Sequence, residues 1–87
     1  MTVKKNLVLR ELMGESVLVP SGSTVFENNG LFMLTETAAY IWKILPEVKN
    51  ESEILKKVLE EYDVTEEQAR ADIESFLLKL REYEIID

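Results

Sequence analysis

The chain contains no cysteine and no histidine among its 87 residues. The first absence excludes a disulfide, a thiolate nucleophile and a thiolate-held metal. The second removes the usual general base near neutral pH and the commonest zinc ligand. Long apolar runs are also missing. No stretch approaches the roughly 18 residues of a membrane span, and Met1-Thr2-Val3-Lys4-Lys5-Asn6 is followed by no secretory h-region. Cytoplasmic residence is the default expectation. Positive charge is scarce: 10 Lys and Arg stand against 17 Asp and Glu, a net charge of −7. That field repels nucleic-acid phosphates and anionic membrane surfaces while permitting a neutral or basic peptide partner. The carboxylates are spread along helical segments with no calcium-loop spacing. The expectation is a solvated acidic surface on a non-catalytic chain without cofactor.

What is present is a folded chain's pattern. Hydrophobic residues make up 46% of it, enough for a core in one small domain over residues 1–87. Leu7 to Met13 and Ser16 to Pro20 are expected strands joined at Gly14-Glu15, and Pro20 ends the second. Ser21-Gly22-Ser23 is expected as a loop and Thr24-Val25-Phe26 as a brief extended segment. Asn29-Gly30 signals a tight turn into a short apolar strand, Leu31 to Leu34.

Three helices are expected next. Thr35 caps the first, from Glu36 to Leu45, whose inner face is Ala38, Ile41, Trp42 and Leu45, with Pro46 closing it. Asn50 with Glu53 resembles a capping box for the second, whose face is Ile54, Leu55, Val58, Leu59 and Tyr62. Thr65 with Gln68 opens the third, Glu66 to Tyr83, striped by Ala69, Ile73, Phe76, Leu77, Leu80 and Tyr83. Leu78 lies off that stripe, either as a lone exposed leucine or as one wall of a groove. Ile85-Ile86 is expected to fold back on the domain. The fold class is therefore α+β, a three-stranded antiparallel sheet with a three-helix core like a winged helix-turn-helix.

Leu7-Val8-Leu9-Arg10-Glu11-Leu12, Val17-Leu18-Val19-Pro20 and Leu34-Thr35-Glu36-Thr37-Ala38-Ala39-Tyr40-Ile41-Trp42 resemble the PqqD family in order and spacing. So do Glu60-Glu61-Tyr62-Asp63-Val64 and the run from Ala71 to Leu80. Members of that family are the precursor-peptide recognition elements of ribosomally synthesised, post-translationally modified peptide pathways. Two departures stand out. Leu34-Thr35-Glu36-Thr37-Ala38 replaces a common Leu-Asn-Glu-Thr-Gly, and Tyr83-Glu84-Ile85 lacks a glycine often found there.

The resemblance implies a non-catalytic domain that captures the leader segment of a precursor peptide and presents it to a modifying enzyme, commonly a radical S-adenosylmethionine protein. It implies that the leader adds as a strand beside Leu31 to Leu34, in a cleft facing the third helix. Leu31, Phe32, Met33 and Leu34 then lie beside the peptide, with Arg70, Leu77, Leu78 and Arg81 across the cleft. Each has a plainer role open to it. Phe32 and Leu77 suit a core, Met33 suits a gap, and the two arginines suit pairing with Glu67 or Glu74 on their own helix.

Two other readings compete. A DNA-binding winged helix is opposed by charge, since the third helix carries Glu66, Glu67, Asp72, Glu74 and Glu82 against Arg70, Lys79 and Arg81. An acidic adaptor, or a homodimer paired through the same strand, uses the same open edge for a different partner. A monomer or weak dimer is expected if a leader is the ligand.

Overall fold

The computed structural model describes residues 1, 3–4, 7–20 and 32–86. The expected loop at Ser21-Gly22-Ser23, the segment Thr24-Val25-Phe26, the Asn29-Gly30 turn and Leu31 lie outside the described residues. Three strands, β1 (Leu7–Leu12), β2 (Glu15–Pro20) and β3 (Phe32–Leu34), precede three helices, α1 (Glu36–Ile44), α2 (Glu51–Glu61) and α3 (Glu66–Glu82). The sheet is antiparallel with order β1-β2-β3. The architecture is the expected α+β one, a three-stranded sheet on three helices.

The first hairpin turns one residue earlier than the sequence suggested. Its central pair is Met13-Gly14, both at positive φ, 53° and 82°, rather than Gly14-Glu15. Register explains the shift. With Leu12 opposite Glu15, Leu9 falls opposite Leu18, so two apolar side chains share the face that packs on the helices. A turn at Gly14-Glu15 would set Leu9 against Pro20 and Leu18 against Glu11, a two-residue slip that keeps each side chain on its face but replaces the direct Leu9–Leu18 pair on the buried face with a leucine opposite a glutamate.

Leu18 is wholly buried and joins one cluster with Ile41, Ile54, Ile73, Leu77 and Leu80 from all three helices. Leu34, Leu9 and Leu7 pack against it from the sheet. On α1 the buried residues are Ala39, Ile41 and Ile44. The expected inner face is thus rotated, since Ala38 and Trp42 are only half-buried. The α-helix also ends at Ile44. Leu45–Glu47 forms a 3₁₀ turn with Pro46 in its first positions, where the missing N–H costs nothing.

The caps read from sequence form, with altered partners. Thr35 Oγ1 accepts from Ala38 N at 3.1 Å, Asn50 Oδ1 from Glu53 N at 3.0 Å and Thr65 Oγ1 from Gln68 N at 3.1 Å. The reciprocal half of each expected box is displaced. Glu53 Oε1 accepts from Lys49 N at 2.6 Å, one residue before the cap, and Gln68 Nε2 donates to Asp72 Oδ1 at 2.9 Å.

At the other end of α3 the chain closes in a Schellman motif. Glu84 N donates to Arg81 O at 3.0 Å and Ile85 N to Leu80 O at 2.8 Å, with Glu84 at φ 58°. The turn that often carries glycine is made here with glutamate. It drives Ile85 and Ile86 into the core, where Lys4 N donates to Ile85 O at 2.7 Å and Val3 bridges Ile86. The Met1 amino group donates to Leu45 O at 3.1 Å and to Val48 O. Both ends of the chain are thereby tied to the helical layer.

Candidate functional site

A three-stranded sheet of order β1-β2-β3 leaves two outer edges among the described strands, and they are unlike. β1 is six residues long and interrupts its apolar pattern with Arg10 and Glu11, both exposed. Charged side chains on an edge discourage a further strand. β3 is the three residues Phe32-Met33-Leu34, uncharged throughout, and among the described residues it pairs along one side only, with Ser16, Val17 and Leu18 of β2. Strand alternation sends Leu34 toward the helices, where it packs on the core, and Met33 to the opposite face. Met33 is 58% exposed. Thr35 ends the strand and caps α1 in a single residue, so the edge is held at a fixed angle to the helices.

The α3 residues named from sequence separate into three positions. Leu77 is completely buried in the core. Leu78, its neighbour, is 58% exposed. The arginines lie on the flank of α3 that meets α2. Arg81 Nη1 stands 3.6 Å from Glu51 Oε1, and Arg70 borders a small depression with Glu51, Ser52 and Leu55. Arg70 also pairs along its own helix, Nε to Glu66 Oε2 at 3.1 Å, a partner one turn back rather than Glu67 or Glu74. Leu31 lies outside the described residues, and Phe32 is placed by its backbone alone.

A larger concavity was not legible in the sequence. A trough of about 860 Å³ lies under the turn end of the sheet, between Leu9, Glu11, Ser16 and Leu34 and, from the helical layer, Ala39 and Tyr40 of α1, Glu61 of α2 and Tyr62, which caps α2. Tyr40 and Tyr62 meet edge to face, with ring centroids 5.6 Å apart and planes at 84°. Burial, followed by the negative charge of Glu36 and Glu61 and by Tyr40, raises the Tyr62 hydroxyl above its ordinary pKa. Tyr40 and Tyr62 are 22 positions apart and meet only through packing of α1 on α2, so no local spacing announces them. The one sequence signal is Glu60-Glu61 ending α2, where the helix dipole favours cations.

Among the described residues, no group of three or more Asp and Glu side chains is placed to hold a metal ion, and no helix is long and apolar enough to cross a membrane.

Comparison with known proteins follows this geometry. The family model described as coenzyme PQQ synthesis protein D (PqqD) matches residues 15–86. A solved structure described as TbiB1 in complex with the TbiA(beta) leader peptide is similar over 100% of this chain and 95% of that one. The identity is 26% and the TM-score 0.70. No curated protein matches the chain.

Proposed function

The chain belongs to the PqqD family, and from that premise we propose that it is a non-catalytic carrier for the leader segment of a ribosomal precursor peptide. The leader adds as a strand along the outer edge of β3 and is held there for a modifying enzyme, a radical S-adenosylmethionine maturase in the commonest arrangement of such pathways. One observation carries this reading. Among the described residues β3 is an uncharged edge paired on one side only, and the opposite edge of the sheet is guarded by Arg10 and Glu11. The similar solved structure, a leader-peptide complex, supports the same class of ligand.

Strand addition suits a carrier because main-chain hydrogen bonds accept an extended segment with few demands on its sequence. Side chains then select. Met33 offers a flexible, exposed thioether beside the edge. Leu78 offers the exposed apolar surface on α3, with Leu77 supporting that wall from the core. Arg70 and Arg81 are drawn to Glu66 and Glu51, so a leader carboxylate reaching them competes with existing partners. The backbone from Leu31 to Leu34 contributes main-chain groups from alternate residues.

Substituting proline into β3 tests the reading. In an antiparallel strand the N–H and C=O of one residue face the same neighbour, and successive residues alternate. Of Phe32 and Met33, one therefore directs its N–H toward β2 and the other toward the open edge. Both Phe32→Pro and Met33→Pro are made, and helical circular dichroism identifies the variant that keeps its fold. That variant should bind a fluorescein-labelled leader, from a short precursor encoded beside the gene, about tenfold or more weakly, because the ring removes a donor and blocks approach. A well-folded proline variant with normal affinity refutes strand addition at this edge. Sedimentation of the unsubstituted protein separates the competing reading, since an obligate dimer paired through β3 leaves no place for a leader.

A further inference from the structure

The trough under the hairpin reaches β3 at Met33 and Leu34, but its wall of Glu36, Tyr40, Glu61 and Tyr62 has no part in the edge-strand reading. We infer that it is a docking surface for a second protein, and that its occupant is a basic segment. A lysine or arginine side chain seats beside Glu36 and Glu61 against the rings of Tyr40 and Tyr62, while apolar neighbours of that residue cover Met13 at the hairpin tip.

Charge selects this occupant. Glu11, Glu15, Glu36 and Glu61 line the trough against Arg10 and Lys43. Among the described residues none of these four glutamates forms an ion pair with a cation of the chain. Glu61 is also placed against local preference. It closes α2 in a last turn with no basic residue, where the exposed carbonyls already concentrate negative potential. A carboxylate kept at the wrong helix end, with no internal partner, fits a cation supplied from outside. The tyrosines add ring surface, and an arginine or lysine over an aromatic ring gains more than in water when the pair is partly shielded. Tyr40 and Tyr62 are both half-buried. Burial first, and then the negative charge of Glu36 and Glu61, raises the Tyr62 hydroxyl above its ordinary pKa.

Met13 gives the apolar part. It is fully exposed, in the turn whose next two residues, Gly14 and Glu15, line the trough. Asparagine at this position would adopt φ 53° more readily. Placing a thioether there gives the chain an adaptable apolar contact at the trough's rim.

The inference does not depend on strand addition at β3, and its test uses no leader sequence. The probe is the peptide acetyl-Gly-Leu-Arg-Leu-Gly-amide, compared with the same peptide carrying citrulline, which keeps the shape and removes the charge. Each is titrated into ¹⁵N-labelled full-length protein to low-millimolar concentration. The arginine peptide should shift the amides of Glu36, Tyr40, Glu61 and Tyr62 and of the Met13-Gly14 turn. The citrulline peptide should bind about fivefold or more weakly, as should the arginine peptide with the E36Q/E61Q double variant or in high salt. Met13→Asn should weaken the arginine peptide about two- to threefold while leaving the fold intact. Equal shifts from both peptides, no shifts at all, or shifts centred on Glu66, Glu67 and Asp72 of α3 would overturn the proposal.

Discussion

Glu84 is the residue at which this chain departs most plainly from a favourable local choice, and replacing it makes a quantitative test. Its φ of 58° lies in the left-handed region, which costs a residue bearing a Cβ about 1–2 kcal/mol relative to the right-handed region. Glycine removes that cost but loses about 0.5–1 kcal/mol more backbone entropy on folding. The carboxylate also sits just past the C-terminus of α3, where negative charge is unfavourable by about 0.3–1 kcal/mol near an exposed end. Glu84→Gly should therefore stabilise the fold by about 1 kcal/mol, or roughly 4–8 °C in Tm for a domain of this size. Thermal and urea unfolding followed by circular dichroism measure it, with an unchanged urea slope expected. Glu84→Ala separates the causes, because it removes the charge and keeps the Cβ. A gain for alanine equal to that for glycine would refute the conformational argument, as would no gain for glycine. Gly14→Ala is the mirror control. At φ 82° an added Cβ there meets no atom within 4 Å, so any loss, expected at about 1 kcal/mol, is conformational alone.

The neighbours Leu77 and Leu78 should separate folding from binding. Leu77→Ala opens a cavity in the core and should cost about 2–5 kcal/mol in urea unfolding, whereas Leu78→Ser should leave unfolding almost unchanged and weaken leader binding about three- to tenfold in a fluorescence titration. The reverse pattern would show that the exposed wall is misplaced. Ultraviolet titration of the phenols should find Tyr62 ionising above the usual tyrosine range, and E36Q/E61Q should lower it toward that range. The sign follows from linkage: because the folded pKa is the higher one, the stability this group contributes is complete below the unfolded value near 10 and is lost as pH rises through the folded value.

The elements legible in the sequence were those written in local chemistry. Thr35, Asn50 and Thr65 announce helix starts because a cap is decided within four residues, and all three side chains make the expected bond. The α3 stripe was legible because a long helix repeats its inner face several times, from Ala69 to Leu80. What escaped was set by contacts distant in sequence. The turn position in the first hairpin is fixed by Leu9 meeting Leu18 on the helices, and not by the preference of Gly14 alone. The rotation of α1 that buries Ile44 depends on how that helix meets α2 and α3. Arg81 reaches Glu51 across an interhelical space of 30 residues in sequence, so its pairing could not be read from its own helix. The Tyr40–Tyr62 trough is tertiary for the same reason.

The shortness of β3 bears on how selective such a carrier must be. Three residues offer outward main-chain groups from only one or two of them, because alternate residues already face β2. At a net contribution of about 0.5–1.5 kcal/mol for each hydrogen bond, the backbone alone supplies a few kcal/mol, less than the roughly 8 kcal/mol of a micromolar complex. The remainder has to come from apolar contact. On the proposed reading, the exposed portions of Met33 and Leu78 supply that contact. A leader with the right length but polar residues facing them should bind well below micromolar strength. If the leader adds as proposed, backbone pairing sets its position and direction, and these few side chains decide which peptide is held.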